Sequence, residues 1–303
     1  MRGQAAMAAP KCDRSSLHVR LLRLFASPSY QPPMLPGVAL EIMQLSQRPN
    51  VTFEAVGAVL ERDPILAAKV LSIAQSALYA PRSPILSLKQ ATVRLGLETL
   101  RDLVLEAALN LRVFRVPGYD VAMERLSRHS TVTAYLIRAL CRKTAVAGEY
   151  AFLCGLLHDV GIAACLLALS DDARGGLVPY ETLGAVLQDV HEEASGLVTR
   201  LWGLPAEIQR VASTHHQLEG GRSPNPVNAA LIVAEELARA LGAGMAPLEA
   251  TGNPPGALAL DANPPEVFDR ACATLQLDGS ALEAARREAA EIVMMVSSPG
   301  TRS

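Results

Sequence analysis

The sequence predicts an all-α protein, a bundle of many helices with no significant sheet. Apolar residues recur at three- and four-residue spacing through most of the 303 residues. Alanine and leucine, which favour helices, dominate the apolar residues, whereas aromatic residues make up only 4% of the chain. Runs that alternate apolar and polar residues, the pattern of a half-buried strand, are scarce. The length suits one large domain or two modest ones.

The first half of the chain contains six predicted helices. Residues 1–14 are polar and small, so we expect them to be disordered. A short helix, LHVRLLRLFA, follows them and ends before a proline-rich turn at 27–36. Asp63-Pro64 supplies a capping carboxylate and a first-turn proline to a later helix, and Gly96 separates two others. The apolar spacing predicts these helices at 37–47, 53–60, 64–77, 87–95 and 97–113.

A second half begins near Val116, and helices are predicted there at 118–144, 149–167, 179–187, 190–202, 205–214 and 226–241. Residues 243–264 are rich in Gly, Pro and Asn and predict an exposed loop. Two more helices, 265–275 and 280–296, precede a tail, SSPGTRS, that we expect to be frayed.

These elements predict the domain organisation. They separate an N-terminal tail and short helix (1–29) from a central domain (30–240) and from a C-terminal loop with two helices (241–303). The central domain consists of an N-terminal helical half, 30–115, and a second half, 116–240.

Charge and cysteine content exclude several function classes. The formal net charge is −2, so we expect no direct binding of nucleic acid and no attraction to an anionic membrane. The five cysteines are scattered without a CxxC pair, which argues against a structural zinc site or a disulfide scaffold and fits a reducing cytoplasm. No apolar run reaches about 18 residues, so we predict no membrane span and a cytoplasmic location.

Histidines carry the strongest functional signal. Five of the six, with one aspartate, occur in the order His129, His158-Asp159, His191 and His215-His216. The gaps hold 28, 31 and 23 residues, each long enough for a helix and a turn. Imidazole and carboxylate groups bind Zn²⁺, Mn²⁺ and Fe, so the set predicts a divalent-metal site. A single histidine on an apolar helix is more often a hydrogen-bonded core residue, so it is the complete set that favours metal.

The adjacent pair His158-Asp159 sets a geometric condition. Neighbours on a helix diverge by about 100° around its axis, so both side chains reach one cavity only if a helix end faces it. In that geometry the carboxylate of Asp159 can bridge two metals. We expect His191 to open a helix and His215-His216 to lie at the end of one.

Several segments along the chain carry motifs of one kind of helical domain. They read LPGVALEIMQL, then ERDPILAAKVLSIAQSALYAPRSPILSLKQATVRLGLETLRDLVL, and, in the second half, HSTVTAYLIRAL, FLCGLLHDVGIAACL and WGLPAEIQRVASTHH. These segments resemble an HDOD domain. The resemblance covers roughly residues 30–240. It implies an all-helical domain related to HD phosphohydrolases and HD-GYP phosphodiesterases, of a kind found mostly in bacteria as a signalling or regulatory module.

The resemblance to HD-GYP domains also implies a ligand set. In that family the last ligand is an Asp in an Ala-Asp pair, and Glu235 stands at its place in LIVAEELA. The implied metal ligands are His129, His158, Asp159, His191, His215, His216 and Glu235.

Two departures from the relatives weaken the case for catalysis. The HD motif usually continues as HDxGK, but here it reads HDVGI, so Ile162 replaces a cation that would face phosphate or the attacking water. The GYP signature is also missing, because the chain reads QLEGGRSPNP after His216.

Three functions are therefore open. The one we favour is a non-enzymatic signalling module that binds a protein partner or a nucleotide second messenger in the groove between its halves and retains a site for Fe, Mn or Zn. The alternative is a metal-dependent phosphohydrolase or cyclic-dinucleotide phosphodiesterase with an altered site, in which Asp159 is catalytic. The third is a buried polar cluster that joins the two halves without metal.

Overall fold

The regular structure of the chain is helical. The computed structural model describes residues 14–79, 84–85, 87–172, 177–219, 223–245 and 263–297. Within these ranges the β pairing is confined to an isolated antiparallel bridge between Glu219 and Pro224, which confirms the all-α prediction. Of residues 1–14, which were predicted to be disordered, only Arg14 is described, and it begins the first helix. Residues 1–13, most of the loop predicted at 243–264 and the tail beyond Ser297 lie outside the described residues.

The first half closely follows the predicted order of helices. Thr52 caps α3 by accepting a hydrogen bond from the Ala55 amide, and Asp63 caps α4 by accepting one from the Leu66 amide. Gly96 has φ 81° and ψ 166°, which interrupts α5 where a break was predicted. The helices are α1 (Arg14–Phe25), α2 (Gly37–Ser46), α3 (Phe53–Leu60), α4 (Pro64–Ala74) and α5 (Leu88–Ala108), and a π-helical turn (Leu109–Val113) continues α5.

The second half and the C-terminal segment hold the helices that surround the site. They are α6 (Asp120–Lys143), α7 (Ala151–Leu157), α8 (Val160–Asp171), α9 (Gly184–Leu201), α10 (Ala206–Ala212), α11 (Pro226–Ala240), α12 (Pro265–Thr274) and α13 (Gly279–Ser297). A 3₁₀ turn, Tyr180–Thr182, precedes α9.

Two helix predictions were wrong in the second half. The single helix predicted at 149–167 is two helices, because the chain breaks at His158-Asp159 inside a continuous apolar run. The two helices predicted at 179–187 and 190–202 are mainly one, α9. The chain does not break between 187 and 190, where Asp189 lies on the solvent-facing side of α9 and forms an ion pair with Arg14.

Helix packing surrounds the centre of the second half. α8 packs along α9, α7 and α11 pack against α6, α12 packs on α11, and α13 packs on α6. α1 packs across α8 and α9, where Arg14 and Arg20 form ion pairs with Asp189 and Asp172. One hydrophobic core runs through both halves of the chain, so the two halves share their buried surface.

Polar side chains join the two halves. The Tyr135 hydroxyl on α6 donates to the Glu106 carboxylate on α5 at 2.9 Å, and both residues are buried. The Arg138 guanidinium lies over the rings of Tyr135 and Phe152, 4.8 and 4.7 Å from their centroids. These contacts satisfy polar groups that would otherwise be costly to bury between α5, α6 and α7.

The stretch Ala151–Asp171 is long and apolar enough to cross a bilayer on composition alone, with a mean hydropathy of 2.1. However, 94% of its most apolar window is buried inside the protein, so packing of α7 and α8 in the core accounts for that character.

Glu106 makes stability depend on pH. Burial raises the pKa of its carboxyl from 4.5 to about 7, although the Tyr135 hydrogen bond opposes this. The folded protein therefore holds this proton more tightly, and the Glu106 contribution to the free energy of unfolding falls as pH rises from 4.5 to about 7. In the wild type, this effect should lower the free energy of unfolding by ~3 kcal/mol across this range. Glu106→Gln should not show this decrease, and urea unfolding of both proteins at several pH values measures the difference.

Glu98→Gln is the control, because the Glu98 side chain is 64% exposed on the same helix. Its unfolding curve should follow the wild type at every pH. If the free energy of unfolding changed with pH equally in Glu106→Gln and the wild type, Glu106 would not be the group that makes stability depend on pH.

Candidate metal centre

The structure brings every predicted ligand-type side chain to one place. Five different segments contribute them, at the centre of the second half. They are His129 from α6, His158 and Asp159 from the turn between α7 and α8, His191 from α9, His215 and His216 from the turn after α10, and Glu235 from α11.

The break between α7 and α8 solves the problem posed by adjacent ligands. α7 ends at Leu157 and α8 starts at Val160, so His158 and Asp159 lie in the turn between two helix ends. Both side chains therefore face the same cluster, 3.3 Å apart between His158 Nε2 and Asp159 Oδ2. The expected position of His191 at a helix start was wrong, since it lies inside α9.

Gly161 allows α8 to approach α9 closely enough to place Asp159 beside His191. A Cβ on Gly161 would lie 2.3 Å from the His191 carbonyl oxygen and 2.4 Å from the Ser195 nitrogen. The Gly161 amide instead donates to Ser195 Oγ at 2.8 Å. The glycine of HDVG is therefore needed for the site, a role that spacing alone did not reveal.

Three residues form a first group of ligand atoms, and Glu235 adjoins it. His129 Nε2 and His158 Nε2 are 3.1 Å apart. Asp159 Oδ2 lies 3.3 Å from His158 Nε2 and 3.7 Å from His129 Nε2, and Glu235 Oε1 lies 3.4 Å from His158 Nε2. The ligand atoms of His129, His158 and Asp159 all fall within 4.8 Å of one another, which is close enough to hold one metal ion.

His191, His215 and His216 form a second group. The Nε2 atom of His191 lies 3.2 Å from that of His215 and 3.2 Å from that of His216. Asp159 Oδ1 faces this group, 3.4 Å from His215 Nε2 and 3.7 Å from His191 Nε2. The two oxygens of one carboxylate thus face two separate sets of imidazoles.

The outer nitrogen of each imidazole faces an acceptor. A carbonyl oxygen only accepts, so Nδ1 carries the proton and Nε2 is left bare toward the centre. Bare nitrogens 3.1–3.2 Å apart repel unless a cation or an extra proton lies between them. The Nδ1 acceptors of His129, His158, His191, His215 and His216 are, in order, Ala243 O, Gly155 O, Leu187 O, Ala212 O and Asn263 Oδ1.

The pKa shifts show where charge lies without a metal ion. Burial opposes charge on His158, but the Asp159 carboxylate outweighs it and raises the pKa of His158 to about 9. Burial also opposes charge on Asp159, yet the neighbouring imidazoles hold its pKa well below the usual range. Burial and the nearby His216 hold the pKa of His215 well below its usual range. The metal-free cluster therefore contains a His158–Asp159 ion pair beside the neutral imidazoles of His215 and His216.

Two further residues support the second group and were missed from the sequence. Glu192 Oε1 accepts a hydrogen bond from the His216 amide at 2.9 Å, which fixes the turn after α10 against α9. Asn263 Oδ1 accepts from His216 Nδ1 at 3.3 Å. Glu192 directly follows His191 in the sequence, and this proximity to a predicted ligand could have pointed to it. Asn263 lies in a segment with no predicted ligand, so nothing in the sequence pointed to it.

The position that holds lysine in HD phosphohydrolases lies in the core. Ile162 has no exposed surface. Its side chain therefore supplies apolar packing to α8 and no positive charge to the cluster.

Gly161→Ala should disturb this centre directly. The added methyl must push α8 away from α9, which we expect to cost ~1–3 kcal/mol in the free energy of unfolding and to weaken divalent-metal binding. Denaturant unfolding and metal titration measure the two effects. Gly57→Ala in α3 is the control, because a Cβ there meets nothing within 4 Å and should stabilise by up to about 1 kcal/mol. Similar results for both variants would contradict the close-approach argument.

Comparisons with known proteins find relatives of this chain in sequence and in fold. An uncharacterised protein of Treponema pallidum (strain Nichols) is 26% identical over 198 residues, which cover 61% of this chain and 38% of that protein. The chain thus spans well under half of that relative.

Two solved structures share the fold. One, from Shewanella amazonensis SB2B and provisionally named a metal-dependent phosphohydrolase, has a TM-score of 0.66 at 18% identity, covering 92% of this chain and 99% of its own. Another, from Marinobacter aquaeolei VT8 and provisionally named a signal transduction protein, has a TM-score of 0.59 at 22% identity, covering 93% and 64%. The sequence model of the HDOD domain matches residues 32–218, more than half of the chain, and the protein therefore belongs to the HDOD family.

Proposed function

We propose that this chain is a regulatory signal-transduction module with a buried two-metal centre, and that it acts by binding a partner rather than by turnover. The observation that carries the proposal is the Asp159 carboxylate, whose two oxygens face two separate groups of imidazoles. A single buried carboxylate in that position matches the way a shared ligand bridges two cations.

The donor set fits divalent transition metals. Imidazole and carboxylate donors suit Fe, Mn and Zn, and the Nδ1 hydrogen bonds already hold the imidazoles in the ligand tautomer. One ion would be held by His129, His158, Asp159 Oδ2 and Glu235, and a second by His191, His215, His216 and Asp159 Oδ1.

Burial favours a regulatory centre over a catalytic one. Among the described residues, six of the seven ligand-type side chains belong to residues that are at most 2% exposed, and only His216 is half-buried. Catalytic metals keep a coordination position open to substrate, whereas closed centres are structural. The buried Ile162 removes the cation that a phosphate substrate would need.

A metal-dependent phosphohydrolase is the second candidate, and the position of the Asp159 carboxylate between two groups of imidazoles is the observation in its favour. A divalent pair at such a site would supply positive charge to a phosphate oxygen. In that function Asp159 would be catalytic, and the half-buried side of His216 would be the route for substrate among the described residues.

The partner or nucleotide would bind in the groove between the halves. A cavity of about 410 Å³ lies there, a volume typical of small-molecule sites. Its lining includes Lys69, Glu106, Asn110, Arg115, Ser127 and Arg128. Lys69 and Arg115 are the side chains that would meet nucleotide phosphates, as charge-assisted hydrogen bonds to phosphate are strong.

Metal content tests the centre. Protein purified without chelator should contain about two divalent ions per chain, and Asp159→Ala and the isosteric Asp159→Asn should each contain less than one, because each loses the bridging charge. Elemental analysis measures this. Asp171→Ala, on the exposed end of α8, is the control and should keep both ions.

Thermal denaturation separates the centre from a metal-free polar cluster. A chelator should lower the melting temperature of the wild type, because an ion that binds only the folded state stabilises it. An unchanged melting temperature, with no metal after reloading with Fe²⁺, Mn²⁺ or Zn²⁺, would leave the buried polar cluster as the correct interpretation. Hydrolysis of a phosphodiester by the loaded protein, abolished in Asp159→Asn, would establish the phosphohydrolase instead.

Nucleotide binding tests the groove. We expect cyclic dinucleotides to bind in calorimetric titration, and Arg115→Glu to weaken their affinity by about 10-fold through loss of a charged hydrogen bond. Arg112→Glu is the matched control, because Arg112 is exposed nearby and does not line the cavity. Equal affinity in both variants would place the nucleotide elsewhere, and absence of binding would favour a protein partner.

A further inference from the structure

We infer that Asn263 is a positioning residue for His216, so that the segment beyond α11 completes the second imidazole group. The inference rests on the proposed metal centre. It extends that centre to a side chain far outside residues 32–218, which the HDOD domain matches.

The contact between Asn263 and His216 lies on the side of the imidazole that faces away from the cluster. Asn263 Oδ1 lies 3.3 Å from His216 Nδ1, and His216 Nε2 on the other side of the ring lies 3.2 Å from His191 Nε2. Asn263 lies two residues before the start of α12, which packs on α11, the helix that carries Glu235. The position of the amide therefore depends on the packing of α12 on the helix that supplies Glu235.

His216 depends on this amide more than the other histidines depend on their acceptors. Each of the other four has Nδ1 against a main-chain carbonyl, which the fold fixes. His216 alone has a side-chain acceptor, and it is the one ligand-type residue that is only half-buried. Without an acceptor at Nδ1 the ring is free to protonate at Nε2, the nitrogen that a metal ion needs bare.

The other end of the Asn263 amide indicates that packing stability does not explain this residue. Its Nδ2 atom is buried and has no hydrogen-bond partner among the described residues. A buried donor without an acceptor costs stability, so an apolar side chain of similar size would be the better choice for packing alone. The feature that favours asparagine at this position is its Oδ1 atom, which accepts the hydrogen bond from His216.

Two substitutions separate the acceptor from the packing. Asn263→Asp keeps an oxygen at the same place, whereas Asn263→Leu keeps the size and removes the acceptor. Asn50→Leu is the control, since Asn50 lies exposed in a turn of the first half. All variants are made in the full chain.

Cobalt(II) titration followed by visible absorption reports the two ions separately. We expect Asn263→Leu to weaken one of the two binding events by roughly 10–100-fold and to leave the other unchanged. Asn263→Asp and Asn50→Leu should retain both. Equal weakening in Asn263→Asp and Asn263→Leu, or none in either, would overturn the inference.

A metal-independent measurement keeps this inference distinct from the proposed function. In ¹⁵N NMR of the metal-free protein, His216 should be protonated at Nδ1 in the wild type and Asn263→Asp, and shift toward Nε2 protonation in Asn263→Leu. The His216 signals are assigned by comparison with His216→Gln. A wild type that binds no cobalt but shows this shift would overturn the metal centre alone, whereas an unchanged tautomer in Asn263→Leu would overturn the role of Asn263.

Discussion

The buried Asp159 carboxylate is the constraint on which the centre of this protein depends. A charged group with almost no solvent contact must be paired, and here the Nε2 atoms of four imidazoles lie 3.3–3.7 Å from its oxygens. Reaching them requires the break between α7 and α8, the close contact of α8 with α9 at Gly161, and the turn after α10. The local structure of four helices thus follows from the need to neutralise one side chain.

Sequence patterns located most helices and the histidine and aspartate side chains that meet in the cluster, because apolar spacing and residue type are local properties. Glu235 was implied only by the resemblance to HD-GYP domains. The break at His158-Asp159 was invisible to these sequence patterns, since the apolar residues continue unchanged on both sides. The break predicted near Asp189 was false for the opposite reason, as polar residues on an exposed helix face resemble a loop. Asn263 could not be found at all, because its role exists only after α12 has packed on α11.

The protein contains two buried polar clusters, and they are neutralised in different ways. In the second half, the outward Nδ1 hydrogen bonds of the histidines turn their Nε2 atoms toward one centre. There an added proton on His158 or a metal ion offsets the repulsion between these nitrogens and the charge of Asp159. Between the halves, Glu106 is held by the Tyr135 hydroxyl near the aromatic-stacked Arg138, and no set of imidazoles converges on it. The histidine cluster is therefore the arrangement that suits an inorganic ligand.

The position of α1 links the start of the described chain to its centre. This helix lies across α8 and α9 and is fixed to them by ion pairs from Arg14 and Arg20. α8 begins next to Asp159, and α9 carries His191. A displacement of α1 would therefore act on the two helices that position Asp159 and His191. Mechanical coupling between α1 and the buried carboxylate would run through α8 and α9.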